Sequence, residues 1–148
     1  MGGRFAQASA SALPFTDDCF DIVYAVEVIE HLPSLKLSIK EMTRVLKAGG
    51  RLIVIDRNRY SFSQERMLVP NLLIKRWHEL KNDWFYPRCF PFRERWFSKK
   101  QVVRCMKTYL KNVNADYIQS DGEKKCKWHL LFDWIPPARL FILWNGVK

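Results

Sequence analysis

Glycine is scarce in this chain. Six occur in 148 residues, Gly2, Gly3, Gly49, Gly50, Gly122 and Gly146, and none forms a GxGxG run. A glycine loop of the kind that lets backbone amides approach a dinucleotide is therefore absent from the sequence. The four cysteines, Cys19, Cys89, Cys105 and Cys126, show no CxxC spacing. That argues against a zinc ribbon or a redox pair and for free thiols in a reducing compartment. No run of about 18 apolar residues occurs, so no membrane-spanning helix is expected. The N-terminus lacks a basic region followed by an apolar core, so no signal peptide is expected either. Together these place the chain in the cytoplasm, or peripherally on a membrane. There is no internal repeat and no low-complexity tract, and the length suits one domain with a modest core.

What is present is unevenly distributed. Residues 1–56 carry six Lys and Arg against seven Asp and Glu, whereas residues 57–148 carry nineteen against eight. All six tryptophans also lie in the second part.

The first part reads as strand, helix, strand. Phe20–Val26 is a β-branched and aromatic run behind the turn at Asp17-Asp18, suited to a strand buried on both faces. Ser34 is a plausible N-cap. Leu35, Ile39, Met42, Val45 and Leu46 then fall at helical spacing on one face. Lys47 would complement the last turn, and Gly49-Gly50 would stop the helix. Arg51–Asp56 is a second buried strand. Short connections argue for a right-handed βαβ unit and a parallel sheet.

The second part is less regular. Phe62–Lys81 suggests a helix or two half-helices interrupted near Pro70. Leu72, Leu73, Lys75, Arg76, Trp77 and Leu80 would form its basic amphipathic face. Trp84–Phe97 has seven aromatics in fourteen residues with two prolines and three arginines, too broken for a regular element. Ser98 to Gln101 is a capping-box pattern opening a helix to about Leu110. Asp116–Gln119 suits a strand, and Leu140–Val147 a last, antiparallel one.

LPF at Leu13–Phe15, FDIV within Asp17–Val23, EVIEHL at Glu27–Leu32 and RVLKAGGRL at Arg44–Leu52 occur in one order over about a third of the chain. In that order and spacing they resemble the class I S-adenosylmethionine (SAM) methyltransferases, of the broad small-molecule type that includes ubiquinone-pathway O-methyltransferases. Ala48 stands where that family usually has Pro. The resemblance implies an α/β, Rossmann-like doubly wound sheet. It would be N-terminally truncated, with the third to seventh strands retained and the first and second missing. Arg4–Gln7 would end the third strand, Phe20–Val26 would be the fourth and Arg51–Asp56 the fifth. Residues 1–148 would form one partial domain: core strands and EVIEH in 1–58, a basic aromatic lid-like insertion and helix in 59–112, and C-terminal strands in 113–148. An edge stripped of its neighbours would invite a partner chain supplying the missing strands.

The resemblance also assigns residues. Ser9 aligns with a usually acidic adenine contact, and Ala10 follows as a backbone contact. Ala25, Val26 and Glu27 would border the methionine part of SAM. Asp56, Arg57 and Asn58 would face the acceptor at the carboxyl edge of the sheet. Within Glu27-Val-Ile-Glu30-His31, spacing on one helical turn would bring Glu27, Glu30 and His31 to one face. Two carboxylates and an imidazole suit a divalent metal such as Mg²⁺. In metal-free relatives the same residues only shape the cofactor pocket. Glu30 or His31 is the catalytic base candidate, an imidazole titrating near neutrality. His78 and His129 have no partner pattern and read as surface or packing residues. The expected activity is methyl transfer to a small-molecule, lipid-linked or sugar acceptor, preferably at oxygen. The rival is a non-catalytic remnant whose basic face binds RNA or an anionic membrane.

Overall fold

The computed structural model describes residues 5–63, 69–84, 93–118, 135 and 139–148. Strand β1 (Phe20–Val26) leads through a 3₁₀ turn (Ile29–His31) to helix α1 (Leu35–Arg44) and strand β2 (Leu46–Arg57). Helices α2 (Asn71–Lys81) and α3 (Lys99–Met106) follow, then β3 (Lys111–Ile118) and β4 (Phe141–Val147). The sheet order is β1-β2-β4-β3. β1 and β2 are parallel, as the βαβ reading requires, and β4 is antiparallel to both β2 and β3.

Alternation along the strands separates two faces. Ala25, Leu52, Val54, Ile142 and Trp144 point to one face, where they meet Ile39 and Met42 of α1 and Val102 and Met106 of α3. Trp144 is fully buried there, and its indole donates to the Lys99 carbonyl at 3.2 Å. Ser34 caps α1 by accepting from the Leu37 amide. Ser98 and Gln101 form the reciprocal capping box at the start of α3.

Four sequence expectations are corrected. First, α1 ends at Arg44, short of Lys47. The carbonyls at its end are taken by the turn that leads into β1: the Asp18 amide donates to Arg44, and those of Cys19 and Phe20 donate to the C-cap Val45. Lys47 instead pairs with Asp21 at 2.9 Å. Gly49-Gly50 therefore does not stop the helix. It lies in an irregular start of β2, where the register jumps from Phe20↔Leu46 to Ile22↔Arg51. Gly49 has φ +79°, and a Cβ on Gly50 would stand 2.9 Å from the Lys47 carbonyl and 3.1 Å from that of Asp21.

Second, β1 is not buried on both faces. It is an end strand, and Ile22 and Tyr24 on its outer face are 58% and 75% exposed. Third, no third strand forms over Phe5–Gln7, which has no regular structure, and Arg4 lies outside the described residues. Fourth, Pro70 precedes a single helix at Asn71, as a residue without an N–H does best at a helix start, and residues 64–68 lie outside the description. α3 also stops at Met106, before Leu110. Most of the lid-like segment, 85–92, and residues 119–134, including His129, lie outside the described residues. No helix among the described residues is long and apolar enough to cross a membrane.

Candidate active site at the carboxyl ends of β1 and β2

The parallel pair ends at Val26 and Arg57, so Glu27–His31 and Asp56–Asn58 meet at one end of the sheet. Glu27 turns the chain with φ +52°, a left-handed conformation uncommon without glycine. Its amide donates to the Ile55 carbonyl at 2.8 Å, which ties the turn to β2. The turn continues as a single 3₁₀ step, not the α-helical turn that the spacing suggested. Three-residue repeats of a 3₁₀ step do not stack Glu27 and His31 on one face.

Arg57 occupies the space where a cation was expected. Its guanidinium lies 3.2 Å from Glu27 and 3.8 Å from Glu30, and over the Phe141 ring at 5.8 Å. No group of three His, Cys, Asp or Glu with metal-holding geometry occurs among the described residues. The Arg57 guanidinium thus faces Glu27 and Glu30, two of the three residues expected to hold a metal.

Glu30 is buried, with one carboxyl oxygen 3.4 Å from His31 Nε2 and the other without a donor facing it. Burial, then the nearby Asp56 and Glu94 carboxylates, push it up to about 9, against a weaker pull from Arg57. A pKa of about 9 leaves it protonated and uncharged at pH 7. Burial works in the same direction on Glu94. The indole N–H groups of Trp84 and Trp96, the Glu30 contact and Lys75 outweigh it and hold Glu94 below the usual range. Burial likewise raises Asp56, partly offset by amides of Arg57 and Glu30.

Glu94, Trp84, Trp96 and Lys75 were not legible as site residues. Lys75 was placed on a basic amphipathic face; it is buried, bonded to Glu79 and to the Glu94 carbonyl. Residues 94–97 cross the sheet end as a strap. The Arg95 amide donates to the Glu30 carbonyl at 2.8 Å, and its guanidinium to Leu32 and Pro33 carbonyls at 3.2 and 2.6 Å. Arg59 donates to the Phe97 carbonyl from the β2 side. The aromatic, arginine-rich composition was the only sequence signal for this wall.

Ser9 and Ala10 lie in a loop whose Leu13 amide and carbonyl are fixed to Glu41 and Arg44 of α1. Ser9 Oγ bonds Ser11 Oγ at 2.9 Å, and Ala10 packs against the core. Ala25 is buried, whereas Val26 and Glu27 are exposed at the strand end. Ala25 and Val26 line an apolar groove of about 500 Å³ beside β1, which Leu13, Phe15 and Val28 also border.

Residues 2–54 match the family described as "Methyltransferase domain". Over 53 residues, 36% of this chain, the sequence is 40% identical to the uncharacterized methyltransferase YcgJ of Bacillus subtilis, covering 21% of that protein. It is 46% identical over 55 residues, 37% of the chain, to the 2-methyl-6-phytyl-1,4-hydroquinone methyltransferase of Synechocystis sp., covering 17% of it. The matches thus span about a fifth of these relatives' length. A solved SAM-dependent methyltransferase of Thermotoga maritima superposes with TM-score 0.66 at 19% identity, over 95% of this chain and 61% of that one. Residues 2–54 thus match the methyltransferase-domain family, and the described residues share the α/β fold of the solved SAM-dependent methyltransferase.

Proposed function

We propose that this chain is the acceptor-side portion of a SAM-dependent methyltransferase acting on a small-molecule, lipid-linked or sugar acceptor, with oxygen the preferred nucleophile. The observation that carries this reading is the convergence of Glu27–His31, Asp56–Asn58 and the 94–97 strap at the carboxyl ends of two parallel strands. Doubly wound sheets place their ligands there. SAM, when bound, supplies an electrophilic methyl group on a sulfonium.

Ser9, Ala10, Ala25, Val26 and Glu27 would border the cofactor on one side only, since the sequence holds no GxGxG loop for the other. Strands beside β1, from a partner chain or a further part of the protein, would supply that side. The strap and Arg57 would exclude water and hold the acceptor in near-attack geometry. His31 or Glu30 would take the acceptor's proton, their side chains lying 3.4 Å apart. The setting is cytoplasmic, free or at a membrane surface.

A second reading has its own observation. α2 leaves Leu73, Trp77 and Leu80 more than half exposed, with Lys81 over the Trp77 ring at 4.7 Å. Such a face suits an anionic membrane or RNA in a non-catalytic module. Calorimetry of SAM binding, with and without a GxGxG-bearing N-terminal half supplied in trans, separates the two. Binding that appears or tightens with the added half supports the enzyme. No binding in either case, with salt-sensitive adsorption to anionic vesicles or RNA, sinks it.

A further inference from the structure

α2 is inside out. At 3.6 residues per turn, Leu73, Trp77 and Leu80 share an arc of about 60° on the helix surface. They are 54%, 55% and 64% exposed. Lys75 lies on the opposite side and is buried. It bonds Glu79 and the Glu94 carbonyl, with the Trp84 and Trp96 rings at 5.9 and 5.8 Å. An ordinary surface helix turns its apolar stripe to the core and its lysines to water. α2 does the reverse.

The exposed charges complete the pattern. Arg76 and Lys81 border the apolar arc on its two sides, and Lys81 sits over the Trp77 ring at 4.7 Å. The helix's one carboxylate, Glu79, is taken by Lys75, and Asp83 just beyond lies 3.4 Å from His78. Exposed Leu and Trp rimmed by cations match the headgroup layer of an anionic bilayer. There the apolar groups reach the acyl boundary and the cations meet lipid phosphates. Single-stranded RNA would satisfy Arg76, Lys81 and the Trp77 ring, but would leave Leu73 and Leu80 in water.

We propose that α2 lies in the interface of an anionic membrane, with Leu73, Trp77 and Leu80 at the acyl boundary and Arg76 and Lys81 among the headgroups. The 94–97 strap is bonded to the helix through Lys75, so docking sets the candidate site beside the bilayer. Docking requires no methyl transfer, and it stands or falls apart from the methyltransferase reading.

Co-sedimentation of the full chain with vesicles tests it, using phosphatidylcholine alone or mixed with phosphatidylglycerol. The wild type is expected to bind the mixed vesicles, less so as salt rises, and to bind phosphatidylcholine alone weakly. Trp77→Ala, at an exposed position where folding is not at stake, should weaken binding by about tenfold or more. Arg76→Gln combined with Lys81→Gln should weaken it at low salt by about tenfold. Leu37→Ser, at an exposed leucine on α1, should leave it unchanged. A wild type that ignores the mixed vesicles overturns the proposal. So does a Trp77→Ala variant that binds as the wild type does, or RNA binding in place of vesicle binding. Vesicle binding abolished by a GxGxG-bearing N-terminal half supplied in trans overturns it as well, since that half would then cover the face.

Discussion

Glu30 sets an unusual pH dependence. Its carboxyl is raised by burial from 4.5 to about 9 in the folded chain. Between those values the folded state keeps a proton that the unfolded state has released. Stability must therefore fall as pH rises through this window, and level off above it. Each pH unit is worth at most about 1.4 kcal/mol, so the loss from pH 5 to pH 7 is about 3 kcal/mol. Asp56, also raised by burial, pushes the same way. Glu94 is lowered, so its own contribution is already complete above the usual carboxylate range and adds no slope here. Glu30→Gln keeps the shape but has no proton to lose. Urea denaturation followed by tryptophan fluorescence, at steps from pH 5 to 9, should show wild-type stability declining and that of Glu30→Gln nearly flat. The variant should overtake the wild type on the alkaline side. A wild type with constant or rising stability, or a variant with the same slope, would refute a buried neutral Glu30.

Two further changes test the fold around the site. Gly50→Ala places a Cβ 2.9 Å from one carbonyl and 3.1 Å from another; overpacking against backbone should cost about 1–3 kcal/mol in urea unfolding. Ser98→Ala removes the capping box of α3 and should lower stability by about 1 kcal/mol by thermal or urea denaturation.

Local chemistry was legible wherever neighbours in sequence supply the partner. Ser34 and Ser98 were readable as caps because the amides they accept from lie three residues on. The βαβ unit was readable because apolar spacing and loop length constrain it. The EVIEH geometry was not. Its 3₁₀ turn and the left-handed Glu27 depend on Ile55, and its cation is Arg57, across the sheet. Glu94 was equally hidden, because a carboxylate sixty-four residues from Glu30 carries no periodic signal.

The sequence by itself determined the strand-helix-strand order, the caps, the charge asymmetry and the methyltransferase resemblance of its first third, all of which rest on short-range spacing. Tertiary structure alone decided that α1 stops at Arg44, where amides of Asp18, Cys19 and Phe20 take the carbonyls of Arg44 and Val45. It also decided that Arg57 sits near two glutamates and that Glu30 is a buried acid. Those properties depend on which distant groups share a low-dielectric space, and burial sets the charge of a carboxyl only once its neighbours are in place.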